Sequence, residues 1–101
     1  MESKEMIATI ISAQESITQM GRPIIRLTVL DDHEQKRTVI IALEAIELLR
    51  KFLKNTHTTV IRKKNGYIEF NLNKLVGKII SVSPEVFRGE EMLRFNPKWE
   101  K

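Results

Sequence analysis

One short polar segment of the chain has the residue types of a metal site. It reads Asp31-Asp32-His33-Glu34, and carboxylate and imidazole groups are common metal ligands. Contiguous residues in a tight turn cannot all converge on one ion, however, and turn preferences favour polar residues at such a position. We therefore expect residues 31–35 to form a polar hairpin tip, with no metal bound there.

No set of residues typical of catalysis stands out. His33 and His57 have no nucleophile or metal partner at a recognised spacing, and the sequence contains no Ser–His–Asp arrangement, phosphate-cradling glycine loop or HExxH motif. Its only two aspartates, Asp31 and Asp32, are adjacent in one loop. A paired-carboxylate mechanism would need partners that the sequence cannot position. The sequence therefore predicts a protein that is not an enzyme and needs no cofactor.

The basic residues are the better candidates for a binding site. Proteins that bind single-stranded nucleic acid need cations along a groove for the phosphates and exposed aromatic rings for base stacking. Two of the basic residues are expected on the second strand, two at the start of the third, three beside a hairpin turn, one in a loop and one on the last strand. In that order they are Arg22, Arg26, Lys36, Arg37, Arg62, Lys63, Lys64, Arg88 and Arg94. The alternative is that these are solubilising surface charges.

Aromatic residues are few, and two of them are candidates for stacking. Tyr67 stands beside the lysine-rich hairpin tip, and Phe87 stands in a predicted loop next to a basic residue. Phe52 and Phe70 are expected in the core, and Trp99 is expected to pack the C-terminal segment onto the domain. Tyr67 is the first choice as a platform for a base, and Phe87 is the second.

Composition limits the class of protein. A chain of 101 residues is expected to form a single domain over 1–101. It has no cysteine, which excludes disulfides and thiolate metal sites and suits the cytosol. We expect no secretory signal and no membrane span, because no apolar run approaches about 18 residues.

The net charge of +4 is unevenly distributed along the chain. Residues 1–50 carry six Lys and Arg against eight Asp and Glu, whereas residues 51–101 carry eleven against five. The second half is therefore a plausible surface for a polyanion.

Strand-like segments dominate the chain. In the second of them, Ile25, Leu27 and Val29 share one face and Arg26 and Thr28 lie on the other. The segments are expected at about 5–13, 23–31, 36–42, 58–64, 67–71, 77–83 and 91–96.

One helix and one tight hairpin are also predicted. The helix covers about 43–54, where apolar residues at helical spacing make one stripe. The hairpin turns at Asn65-Gly66, since both residues tolerate the positive φ of a type I′ turn. The members of the helix stripe are Ala42, Ala45, Ile46, Leu49, Phe52 and Leu53.

The order of these elements fits a known small architecture. An OB-fold is a five-stranded Greek-key barrel, with its helix between strands three and four. This chain fits if the hairpin at 58–71 is inserted after the helix. The hairpin could instead hold strand four, with the last two strands as an extension. The predicted fold class is therefore mostly β, an OB-fold-like barrel with one helix and an inserted hairpin.

Five short motifs follow one another along the chain: Gly21-Arg22-Pro23, Arg50-Lys51-Phe52-Leu53, Leu75-Val76-Gly77-Lys78, Gly89 and Phe95-Asn96-Pro97. In their order and spacing they resemble a class of phage and prophage OB-fold proteins encoded among DNA replication and recombination genes. In that class the Leu-Val-Gly-Lys motif opens strand four, and the closing hairpin turns at a glycine. Residues 56–71 depart from the class, and so does the absence of an acidic C-terminal tail.

The resemblance implies a non-catalytic protein that binds single-stranded DNA in the cytoplasm. The usual OB binding face, strands two and three with the adjoining loops, would then carry Arg22, Arg26, Lys36 and Arg37. One alternative is a small phage-type module that binds and inhibits a host protein, and a weaker one is a structural component of a virion. The choice between DNA and RNA, a phage or host protein partner and the oligomeric state are left open.

Overall fold

A computed structural model describes residues 5–64 and 67–97 of the chain. The side chains of Lys63, Lys64, Tyr67 and Phe87 are outside that description. The predicted type I′ turn at Asn65-Gly66 and the predicted packing of Trp99 also lie outside the described residues.

Within the described residues the chain is mostly β with one α-helix, as predicted. A 3₁₀ turn, Leu72–Leu75, is an element that the sequence did not predict. The elements are β1 Met6–Ile17, β2 Pro23–Leu30, β3 Lys36–Ala42, α1 Ile46–Asn55, β4 Val60–Lys64, β5 Tyr67–Phe70, β6 Ile79–Phe87 and β7 Glu90–Phe95.

Five strands form a closed ring in the order β1-β2-β3-β7-β6. The neighbours in the ring are antiparallel except β3 and β7, which are parallel and pair at Val39 and Leu93. β4 and β5 form a separate two-stranded sheet. The hairpin is therefore inserted between α1 and the fourth strand of the ring, and it does not contain that strand.

The core fills the inside of the ring, and alternation in the strands predicts it well. Ile25, Leu27 and Val29 of β2 are fully buried, while Arg26 between them is exposed. Val39 and Ile41 repeat the pattern in β3. Side chains at every second position point to the same face of a strand, so the faces predicted for β2 are correct.

α1 packs on the core through the predicted stripe. Leu49, Phe52 and Leu53 are buried, and the ring of Phe52 meets that of Phe95 edge-on, with centroids 5.2 Å apart. The helix begins at Ile46 rather than at 43, because the chain first turns after β3, where the Ala45 N–H donates to the Ala42 carbonyl.

Two strands are longer than predicted. β1 continues to Ile17 because it pairs with β2 from Thr9 to Ile17, with a bulge between Ile10 and Ser12, while its first part, Met6 to Thr9, pairs with β6. β6 continues through Pro84 to Phe87. Its pairing with β1 ends at Val82, so the missing N–H of Pro84 breaks no bond to β1.

The loop predicted around Phe87 is therefore wrong. Phe87 is the last residue of β6 and pairs with Glu90, the first residue of β7. Only Arg88 and Gly89 form the turn, with φ of 53° and 80°. Positive φ at both central residues is the geometry that matches the twist of two-residue hairpins.

Candidate nucleic-acid interface

Arg26, the central cation of the predicted site, lies on the outward face of β1, β2 and β3. Arg26 pairs with Gln14 on one side and with Ile40 on the other. Directly paired residues share a face of the sheet, so these three side chains form a row across the ring. Arg26 and Ile40 are both exposed, which confirms the predicted outward position of Arg26.

An open cleft of about 430 Å³, here called the β3–β7 groove, lies beside this row. It lies beside the pairing of β3 with β7 at Val39 and Leu93. The lining residues come from β2, β3 and β7 and are Arg26, Lys36, Arg37, Thr38, Ile40, Glu90, Glu91 and Met92.

Two cations of the groove are available to a ligand. Arg26 and Lys36 are exposed, and neither forms a salt bridge within 5–64 and 67–97. Arg94 is also exposed and likewise has no salt-bridge partner in those ranges. Because Val39 pairs with Leu93 in parallel register, Ile40 and Arg94 follow on the outward face. Arg94 therefore extends the row that contains Arg26.

Arg37 is half-buried and held by two carboxylates. Its Nη2 donates to Oε1 of Glu91 at 3.1 Å, and its Nη1 lies 3.6 Å from Oδ2 of Asp31. Its side chain is only 24% exposed. Arg37 thus links the β2–β3 turn to β7 and is a weaker candidate for a phosphate contact than Arg26 or Lys36.

Asp31 organises the β2–β3 turn. Its Oδ1 accepts hydrogen bonds from the backbone N–H groups of His33 at 2.8 Å and Gln35 at 2.9 Å. The Gln35 bond lowers the pKa of the Asp31 carboxyl most; burial opposes this, and the His33 bond and the charges of His33 and Arg37 lower it further. Residues 31–35 are a hairpin tip, as predicted. In the part of the chain that the structure describes, no three His, Asp or Glu side chains cluster as metal ligands would.

Two other predicted cations are engaged in ion pairs outside the groove. Arg22 lies in the β1–β2 turn, one residue before β2 and not on it, with its Nη1 3.3 Å from Oε1 of Glu44. Arg62 of β4 pairs across the hairpin with Glu69, which also raises the pKa of the guanidinium. Arg88 occupies the β6–β7 turn, and Lys63 and Lys64 lie in β4.

No described aromatic ring lines the groove. Phe52 and Phe95 are buried, and Phe70 is half-buried against the core. The predicted stacking roles of Tyr67 and Phe87 depend on side chains that are not described, and they stay predictions. The described apolar surface of the groove comes instead from Ile40 and Met92.

Reasoning from sequence missed the two carboxylates of the groove. Glu90 and Glu91 follow the β6–β7 turn directly, and they face β3 only because the ring closes between β3 and β7. The glycine of the turn and the charged residues after it are visible in the sequence. The sequence does not show that the strand they begin, β7, lies parallel to β3. The groove is therefore less positive than the count of its cations suggests.

Comparisons with known proteins add no family to these observations. Neither a scan against protein-family models nor a search of curated proteins found a match to this chain. Among the described residues, no helix is both long and apolar enough to cross a membrane.

Proposed function

We propose that this protein is a non-catalytic, OB-like single-stranded DNA-binding protein. The observation that carries the proposal is the strand order of the ring, with β3 and β7 parallel and α1 between the third strand and the fourth strand of the ring. A five-stranded Greek-key barrel that binds oligonucleotides on strands two and three is the arrangement it fits best. Arg26 and Lys36 are exposed on those two strands.

The chemistry of the groove favours binding that depends on charge more than on base identity. Arg26, Lys36 and Arg94 are exposed cations able to meet phosphates, which carry no sequence information. Ile40 and Met92 offer apolar contact to a base or sugar. With two carboxylates also present, we expect moderate affinity with a strong dependence on salt.

The biological setting in this proposal is a phage or mobile element, with a role in DNA replication or recombination inside the cytoplasm. It rests on the sequence resemblance, above all on Leu75-Val76-Gly77-Lys78 ahead of the fourth ring strand and on Gly89 at the closing hairpin.

A titration of labelled oligo-dT followed by fluorescence anisotropy at several salt concentrations tests the proposal. With roughly three to five phosphate contacts, the slope of log K against log salt should be about −2 to −4. Replacing Arg26 and Lys36 by Ala should weaken binding to every sequence alike and make the slope shallower by about 1.4.

The matched control replaces Arg50 and Lys51, two exposed residues of α1, by Ala, which removes the same charge away from the groove. It should leave the affinity nearly unchanged. Absence of binding to oligo-dT at low salt and micromolar protein would overturn the proposal, and so would equal losses in the two double variants.

A second candidate function, a module that binds and inhibits a host protein, is favoured by one surface. Ile17 and Met20 beside the β1–β2 turn are 69% and 81% exposed, and an open cleft lined by Ile17, Pro23 and Leu43 adjoins them. Exposed apolar patches often mark protein interfaces. Failure to bind both oligo-dT and oligo-U, together with a purified partner whose binding is lost in Ile17→Ser, would establish this alternative.

A further inference from the structure

A second basic cleft, here called the hairpin cleft, lies away from the β3–β7 groove. It has a volume of about 400 Å³ and lies between the segment that leads from α1 into β4 and the segment around the 3₁₀ turn. The lining includes the polar or basic side chains of His57, Thr59, Lys74 and Lys78. Ile61 forms an apolar wall of the cleft.

The hairpin cleft is more purely positive than the groove. None of the described residues that line it carries a carboxylate, whereas Glu90 and Glu91 line the groove. Across the described ranges 5–64 and 67–97, neither Lys74 nor Lys78 forms a salt bridge. Two uncompensated ammonium groups beside a histidine form a site suited to an anion.

The backbone holds both lysines in place. Lys74 N–H donates to the Asn71 carbonyl and Lys78 N–H to that of Leu75, which fixes the 3₁₀ turn and its exit. The Lys78 carbonyl in turn accepts from Ile10 N–H at 2.9 Å, so this segment is tied to β1 of the ring. Both lysines therefore belong to a segment whose backbone is hydrogen-bonded to itself and to β1.

The C-terminal end of α1 also adjoins the cleft, and its partial negative charge would oppose an anion. That opposition is reduced, because the last carbonyls of the helix are bonded within the protein. Phe52, Leu53 and Lys54 accept from the N–H groups of Thr56, Thr58 and His57, and the Thr56 hydroxyl bonds the first two as well.

We propose that the hairpin cleft binds backbone phosphates of the same single strand that occupies the β3–β7 groove. This inference rests on the proposed function and extends it, because it makes the inserted hairpin a second contact that lengthens the bound segment. Lysine binds phosphate as a point charge and requires no fixed geometry. It can therefore contact the phosphates of a DNA strand that passes through an open cleft.

The test compares a short and a long oligonucleotide: dT of about 6 nucleotides, near the lower end of the usual footprints of OB folds, and dT of about 24 nucleotides, beyond their upper end. Replacing Lys74 and Lys78 by Ala should weaken binding of the long strand about tenfold and make its salt slope shallower by about 1.4. Binding of the short strand, which can fill only one site, should change less than twofold. Lys74→Gln with Lys78→Gln, which keeps most of each side-chain stem, should give the same result.

Each outcome separates the inference from the proposed function. If the wild type binds the long strand and the lysine variants bind it equally well, the inference is wrong and the proposed function stands. A loss of the same size for both lengths, or an equal loss in the Arg50→Ala, Lys51→Ala control, also overturns the inference. If the wild type binds neither strand, both proposals are wrong.

Discussion

Arg37 lies between two carboxylates, and this decides how much positive charge the β3–β7 groove offers. Glu91 accepts from one nitrogen of its guanidinium, and Asp31 lies near another. An arginine held in this way supports the walls of the groove, while its charge is largely balanced. We therefore interpret Arg37 as a residue that positions β7 against β3.

Removing the Glu91 charge should strengthen binding to single-stranded DNA. In Glu91→Gln the groove gains one net positive charge, and Arg37 keeps only Asp31 as an ionic partner. A unit charge at about 4 Å in water is worth about 1 kcal/mol, so we expect up to fivefold tighter binding of oligo-dT at low salt. Glu47→Gln on the exposed side of α1 is the control. Weaker binding in Glu91→Gln would mean that the salt bridge itself is needed to shape the groove.

Asp31 should make the stability of the protein depend on pH in the acid range. Its pKa in the folded protein is lowered from the ordinary 3.8, chiefly by the Gln35 N–H. A lowered pKa contributes stability that is fully present above the unfolded value and is lost as pH falls through the folded value. Asp31→Asn should therefore lower the thermal midpoint at pH 7 and have a vanishing effect below the folded pKa.

Asp32 is the matched control for this measurement, because it is the neighbouring carboxylate in the same turn and is exposed. Asp32→Asn should shift the thermal midpoint less than Asp31→Asn at pH 7. Equal shifts, or a difference between the Asp31 variant and the wild type that persists at low pH, would contradict this assignment.

At the level of elements, α1 depends on its buried stripe. Leu49 is fully buried in the core, and Leu→Ala changes at such positions cost about 2–5 kcal/mol. Leu49→Ala should show a loss of that size in urea denaturation. The exposed Lys51→Ala on the same helix should stay within about 0.5 kcal/mol. A small loss for Leu49 would mean that α1 does not pack as described.

The inserted hairpin is attached to the domain through one face. Ile68 of β5 belongs to the core cluster, whereas Ile61 of β4 is 61% exposed. Ile68→Ala should therefore destabilise the protein by about 2–5 kcal/mol, and Ile61→Ala by less than about 0.5 kcal/mol. Similar losses for the two would mean that the hairpin is not anchored by Ile68.

Local patterns predicted the elements better than their ends. Alternation in β2 identified Arg26 as outward and Leu27 as core, because the period of a strand is a local property. The end of β6 was missed because a proline, here Pro84, usually ends a strand. Pro84 is tolerated within β6 because it lies beyond the last residue that pairs with β1, Val82.

For the whole molecule, contacts between distant segments were the part that the sequence could not predict. Arg37 and Glu91 are 54 residues apart and meet only because β3 and β7 are neighbours in the ring. The outward position of Arg26 was predicted from the strand pattern, and it is confirmed as a placement. The opposing carboxylates, and the cleft lined by Lys74 and Lys78, depend on tertiary structure that no local pattern encodes.

The pairing of Val39 with Leu93 also bears on the order in which the protein assembles. These two residues are 54 positions apart, and closing a loop of that length costs about 3.5 kcal/mol in chain entropy beyond a constant. The β1–β2 and β2–β3 pairings, in contrast, join strands that are neighbours in sequence. We expect the three-stranded meander to form early in folding and the ring to close last. In native-state hydrogen exchange, the amide of Leu93, which lies in the segment that pairs with β3, should then exchange faster than those of β2. Equal protection of the two segments would show that closure is no weaker than the rest of the sheet.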